Sequence, residues 1–246
     1  MTGLDIGRDI DRIRAAFPGR RIDYYATIDS TMRAAAGLET GSVVVAEEQT
    51  AGQGRLGRAW HSEAGAGIYC SMVLQPMPVL TLALGLAAQS AIFEATGLTC
   101  DIRWPNDLML GGKKVAGILV QGAEGKAIGG IGINVNHTAF PAELESTATS
   151  LRLELGRAGL EACRTRILLA LLLAVDSFVQ YDKDAILRLF PRASSYACGR
   201  RVAVEQPDGA IEGTTAGLDP SGFLIVRQDD GTDTLVLAGG VRAAGS

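Results

Sequence analysis

The chain is poor in the residues on which several common chemistries depend. Its 246 residues include only 2 histidines and 4 cysteines. Cys70, Cys100, Cys163 and Cys198 are scattered, with no C-x-x-C pair and no histidine pair beside them. That spacing indicates neither a zinc site nor a disulfide framework, and reduced thiols of this kind fit a cytoplasmic protein. His61 and His137 stand in unrelated segments and support neither a Ser-His-Asp arrangement nor a metal centre. Excess positive charge is missing too: the formal net charge is −4. This argues against a surface built to neutralise nucleic-acid phosphates. No apolar run reaches the ~20 residues of a membrane span. Residues 79–95 are interrupted by Thr81, Gly85, Gln89 and Ser90, and 167–179 by Asp176, so both read as buried helices. The charged N-terminus has no signal-peptide core.

What is present is a core-forming composition, 47% hydrophobic and 20% charged. Ile6, Ile10, Ile13 and Phe17 recur at helical spacing and predict an amphipathic helix over 4–17, ended by Pro18-Gly19. Strands are expected at 43–48, 68–74, 115–121 and 127–135, the last two forming a hairpin across GAEGK. Between them 79–96 reads as a core helix closed by Gly97, and 159–180 as a second long helix. After Pro191 the pattern changes to short β-rich runs punctuated by PDG (207–209), DPSG (219–222) and DDG (229–231), the signature of a small antiparallel barrel. The expected architecture is α+β: a mixed sheet covered by helices over 1–193, then a small C-terminal β-barrel over 194–246.

The segment richest in chemistry is GQGRLGR at 52–58, with three glycines and two arginines directly after the apolar run at 43–50. It formally matches the dinucleotide fingerprint G-x-G-x-x-G. That fingerprint requires the glycines to open a helix in a βαβ unit. Here Gly65 and Gly67 forbid a stable helix and a strand follows. A P-loop and the kinase motifs are absent. Alone, the loop is either an anion cradle or a solvated turn with incidental arginines. Other positions favour the cradle. Ser30 and Thr31 head a short helix, where their hydroxyls cap it or bind a polar ligand. RWPND at 103–107 is a turn restrained by Pro105, with Asn106 and Asp107 offering oxygens to a hard cation. Lys114 opens the next strand; such a lysine is ordinarily solvated, but beside a phosphate loop it becomes a charge clamp.

Taken in order, Ser30-Thr31, E-x-Q-T-A-G-x-G-R-x-G-R-x-W (47–60), R-W-P-N-D (103–107), K-x-A-G-I-L (114–119) and G-I-G-I-N-V-N (130–136) resemble the biotin protein ligases. The resemblance is strong over 27–136, and the W-P-N-D element followed by the K-x-x-G-I-L strand is its specific part. It implies a two-step ATP-dependent reaction: biotin is activated to biotinyl-5′-AMP, then passed to a lysine of the biotin carboxyl carrier domain of a carboxylase. It also implies that Ser30, Thr31, Met32, Gln49, Gln53, Gly54, Arg55, Lys114 and Gly117 bind biotin. Arg55, Arg58, Trp60, Asn106, Asp107, Lys114 and Asn134 are implied to bind ATP, with Lys114 and Arg55 catalytic and Asn106 and Asp107 placing Mg²⁺. Three positions depart from the family pattern. Met32 replaces an asparagine, Gln53 replaces an arginine of the loop, and Arg103 replaces a lysine of like charge. The first two are expected to tune biotin binding and adenylate retention.

The nearest rival is a lipoate or octanoyl ligase or transferase of the same fold. A biotin-sensing repressor needs a winged helix-turn-helix, and the fewer than 30 residues before Ser30 are too few for one, so no DNA partner is expected. A non-catalytic biotin-binding module is the third alternative. A monomer or a homodimer is compatible with the sequence, and no membrane association is expected.

Overall fold

A computed structural model describes residues 6–156, 163–206, 209–237 and 239–244. The fold begins with helix α1 (Ile6–Ala16), whose Ile6, Ile10 and Ile13 are buried as the spacing predicts. A mixed seven-stranded sheet follows, built from β1 (Ile22–Ile28), β2 (Val43–Gln49), β3 (Gly67–Leu74), β4 (Asp101–Arg103), β5 (Asp107–Leu110), β6 (Lys113–Ala123) and β7 (Lys126–Asn134). Its order is β1-β2-β3-β7-β6-β5-β4, with β1 parallel to β2 and every other pairing antiparallel. β6 and β7 form the expected hairpin, turning through Glu124 and Gly125 at positive φ.

The sheet has two unlike faces because strand residues alternate sides. One face carries Val43, Val45, Ile68, Cys70, Met72, Ile118, Ile131 and Ile133, which join one large core with α3 (Leu80–Thr96) and α5 (Cys163–Phe178). α3 is apolar nearly all round and correspondingly buried, and Gly97 closes it at φ 76° with its N–H donated to the Phe93 carbonyl at 2.7 Å. The first residues of the expected 159–180 helix, 159–162, lie outside the described ones. The other face is covered only in part, by α2 (Thr31–Ala36), whose Met32 and Ala35 pack with Val44, Val73 and Ile128.

Two short helices complete the chain up to residue 193: α4 (Leu151–Leu155) and α6 (Lys183–Ala193). The sequence reading leaves 181–191 unassigned and so has no helix at α6. Pro191 sits near the helix end, and the Asp182 carboxylate caps the start by accepting from Ala185 N–H at 2.7 Å.

The C-terminal strands are β8 (Cys198–Gln206), β9 (Gly209–Leu218), β10 (Leu224–Arg227), β11 (Asp233–Val236) and β12 (Gly240–Ala243). They pair antiparallel in the order β11-β10-β9-β8-β12. They make the expected small antiparallel β domain, a five-stranded sheet in which, among the described residues, no pairing joins β11 to β12. Of the PDG turn only Gly209 is described. The two sheets meet at Trp104, a buried residue whose indole N–H donates to the Gly222 carbonyl at 3.0 Å.

Candidate active site

The partly covered face of the sheet is floored with glycine. A Cβ at Gly130 would stand 2.5 Å from the Met32 sulfur, one at Gly132 2.4 Å from the Trp60 indole, and one at Gly117 2.9 Å from both Trp60 and the Lys114 chain. In the G-G-I-G-I run of β7, Gly130 and Gly132 admit side chains from above while Ile131 and Ile133 fill the core below, and Gly129 makes room for Leu84 of α3. Over this floor lies a cavity lined by Thr31, Gln49, Trp60, Ser71, Asn106 and Lys114, among others.

A chain of hydroxyl and amide groups forms one wall. The Gln49 side-chain carbonyl, at the end of β2, accepts from the Thr31 N–H at 2.9 Å and from the Thr31 hydroxyl at 3.0 Å. Thr31 Oγ1 shares a hydrogen bond with Ser71 Oγ at 2.8 Å. The Gln49 amide donates to Ser62 Oγ at 3.0 Å, and Ser62 in turn donates to the Trp60 carbonyl. Ser30 does not cap α2: its buried hydroxyl has no protein partner, leaving it available to a ligand.

The opposite wall carries charge. RWPND is the turn of the β4–β5 hairpin, and the Asn106 amide locks it to β6 by donating to the Ile118 carbonyl at 2.9 Å. Lys114 Nζ lies 2.5 Å from Asp107 Oδ1 and 5.2 Å from the centre of the Trp60 ring. Arg103 holds the other Asp107 oxygen at 2.7 Å. Burial raises the Asp107 carboxyl, but Lys114 and Arg103 outweigh that cost and hold it below its ordinary value. Arg55 Nη1 donates to Asn106 Oδ1 at 3.0 Å, and burial lowers the Arg55 guanidinium. Arg103 and Lys114 thus hold a single carboxylate, with Arg55 beside them on Asn106, an excess of positive charge suited to a polyanion.

The glycine loop is a compact hairpin. Gln53 bridges Ala59, and Gly54 N–H donates to the Arg58 carbonyl at 2.7 Å. Its tip is Leu56, 73% exposed and held at φ 58°, a conformation costly for a branched side chain. Beyond the loop a second depression shares Gln53, Gly54, Arg55, Ile118 and Leu119 with the first and is closed by Trp104, Pro105 and Phe223. Two connected compartments therefore flank the arginine loop, one small and hydroxyl-lined, the other bordered by the C-terminal sheet.

Sequence profiles agree with this division. That of the Biotin/lipoate A/B protein ligase family matches residues 19–137, and that of the biotin protein ligase C-terminal domain matches 197–240. The "Biotin--[acetyl-CoA-carboxylase] ligase" of Mycobacterium tuberculosis is 35% identical over 90% of this chain and 88% of its own length. The chain belongs to the biotin/lipoate protein ligase family. The "Bifunctional ligase/repressor BirA" of Bacillus subtilis is 35% identical over 87% of this chain and 71% of its own. Among solved structures, the biotin protein ligase of Aquifex aeolicus in complex with biotin and ATP superposes with a TM-score of 0.80. It is 30% identical, and the match covers 91% of this chain and 99% of that one.

Most residues that the resemblance to the ligase family singled out converge on the first cavity. Thr31, Met32, Gln49, Gln53, Gly54, Arg55, Trp60, Asn106, Lys114 and Gly117 all line it. Gly117 is already covered by Trp60 and Lys114, so its bare backbone accommodates the indole. Asn134 lines neither compartment; its buried amide donates to the Thr149 carbonyl at 3.0 Å, tying the end of β7 to the segment before α4. Arg58 is exposed, close enough to Arg55 to repel its charge.

Of the expected Mg²⁺ pair, both Asp107 oxygens lie against cationic side chains and Asn106 Oδ1 accepts from Arg55, while Asp107 Oδ1 keeps acceptor capacity for a ligand. Ser62, Ser71 and Tyr69 escaped the sequence reading, though alternation from Cys70 places Tyr69 and Ser71 on the site face. The two histidines also depart from it: the fold brings His61 and His137 to a ring separation of 5.9 Å.

Proposed function

We infer that this chain is an ATP-dependent biotin protein ligase. In the first half-reaction a biotin carboxylate oxygen attacks the α-phosphorus of ATP, forming biotinyl-5′-AMP and releasing pyrophosphate. In the second, the amine of a carrier-domain lysine attacks the activated carbonyl; the amide forms, the bond to phosphate breaks, and AMP leaves with the electron pair. Both substrates of the first step are anions, so the barrier falls when fixed positive charge spans them. The observation that carries the reading is the convergence of Lys114 and Arg103 on one carboxylate, with Arg55 beside them on Asn106, at the junction of a hydroxyl-lined cavity and a larger compartment.

In this reading the polar head of biotin enters between Ser30, Thr31, Gln49 and Ser71, and its carboxylate reaches Lys114. Lys114 then bridges carboxylate and α-phosphate as the catalytic cation. Arg55 and Arg58 neutralise the phosphates, and the loop from 52 to 58 keeps water from the mixed anhydride. Asn106 and Asp107 help place the nucleotide and its Mg²⁺. The carrier is the biotin carboxyl carrier domain of a carboxylase. The catalytic unit ends near 193 and the C-terminal sheet borders the nucleotide compartment. The enzyme works as a monomer or homodimer in the cytoplasm.

Biotin-dependent exchange of pyrophosphate into ATP tests the assignment. We expect exchange with biotin and none with lipoate, and a fall of roughly 10²–10³-fold in kcat for Lys114→Ala, the size seen when one charge-stabilising donor is lost. Exchange driven by lipoate alone would overturn the substrate, and full activity of the variant would overturn the role of Lys114. Gln53→Arg restores a loop charge and is expected to lower release of free biotinyl-AMP, measured by mass spectrometry of the filtrate.

A further inference from the structure

Both histidines of the chain meet on the rim of the site. His61 follows Trp60, His137 follows β7, and Glu63 completes a group whose donor atoms all lie within 4.8 Å of one another. We propose that His61, Glu63 and His137 form a binding site for a divalent transition metal of the zinc type, separate from the nucleotide's Mg²⁺.

Three observations carry this. His137 is only 1% exposed, yet neither ring nitrogen has a hydrogen-bond partner. A buried imidazole of that kind normally finds one. The ring is held in place rather than loose: Phe140 stacks on it at 5.0 Å, and its own carbonyl accepts from Ser150 Oγ at 2.7 Å. Finally, the other two groups can move to meet it. The His61 and Glu63 side chains are 37% and 56% exposed, with Nε2 and Oε2 3.9 Å apart. Tetrahedral zinc with bonds of 2.0–2.1 Å sets its ligands roughly 3.3 Å apart, so closure from within 4.8 Å needs up to about 1.5 Å of adjustment, within reach of two surface rotamers.

The donor set selects the ion. Two imidazoles and one carboxylate suit Zn²⁺, Co²⁺ or Ni²⁺, whereas Mg²⁺ and Ca²⁺ prefer all-oxygen shells. A metal ligand must be a neutral imidazole with a free ring nitrogen, and among the described residues both nitrogens of His137 lack a partner. With three protein ligands the metal keeps a position for water.

The bound ion would clasp two segments that border the site. The Ala66 carbonyl already receives the N–H groups of Val135 and Asn136, at 3.1 and 2.6 Å, which links them through the backbone. The metal adds a side-chain link between the segment that carries Trp60 and the one from 137 to 150.

The test uses the untagged full chain, stripped with chelator, in a background of Cys163→Ser and Cys198→Ser to remove competing thiols. Zn²⁺ titrated by calorimetry is expected to bind at one ion per chain, while Mg²⁺ without nucleotide gives no comparable heat. His61→Asn and Glu63→Gln, surface changes that leave the fold intact by circular dichroism, should each weaken Zn²⁺ binding by at least about tenfold. Co²⁺ should show a low-coordinate d–d absorption that both variants lose, and Zn²⁺ should slow amide exchange over 137–150. Absence of Zn²⁺ binding, or binding unchanged in both variants, would overturn the proposal.

Discussion

The two faces of the seven-stranded sheet are made from the same strands and do opposite work. Below, Ile118, Ile131, Ile133, Cys70 and Met72 are sealed under α3 and α5. Above, one residue along each strand, Gly117, Gly130, Gly132 and Ser71 leave room for Met32, Trp60, Lys114 and a ligand. The contrast teaches where binding capacity comes from: it lies where side chains were removed from the strands and replaced by groups from α2 and the arginine loop. The closed face supplies stability, and the open face spends part of it on buried polar atoms without partners, Ser30 Oγ and Trp60 Nε1 among them.

Substitutions can break this division face by face. Leu84→Ala removes a fully buried side chain of α3 and should cost about 2–5 kcal/mol in urea unfolding, while the folded fraction keeps its affinity for biotin. Loss of biotin binding without loss of stability would refute the separation. Gly132→Ala tests the open face: its methyl would meet the Trp60 ring, so biotin binding by calorimetry should fall sharply against a stability cost of about 1–3 kcal/mol. A gentler probe is acid. The unfolded Asp107 takes up its proton near ~3.9, but the folded carboxylate holds out to lower pH against Lys114 and Arg103. Its contribution is therefore complete above that range and is lost as pH falls through the folded value. Denaturation midpoints should decline on acidification by up to one proton's slope more in the wild type than in Asp107→Asn; equal slopes would show that the pair does not shift the carboxyl.

Legibility in the sequence followed the range of the interaction. The α3 helix, its Gly97 stop and the β6–β7 hairpin rest on neighbours in the chain, and periodicity exposes them. α6 went unassigned, although Pro191 near the helix end costs it little. The arginine loop, RWPND and Lys114 were readable as a charged site from their residue types and order. The pairing among those charges was not: only the fold shows that Arg103 and Lys114 lie on the two oxygens of Asp107. The meeting of His61 and His137 depends on how the strand after His61 lies against the strand before His137, β3 paired with β7 from Gly67 to Asn134. No local pattern records that register.

Trp104 gives the RWPND turn a mechanical role. Its neighbours Asn106 and Asp107 face the ligand-binding charges, while its own indole is pinned to Gly222 of the C-terminal sheet. Within a few residues the chain therefore works as a two-jawed clip, one jaw on substrate charge and the other on the neighbouring sheet. A shift of either jaw must strain the other, so a carrier domain that pressed on the C-terminal sheet would be felt at the reacting phosphate.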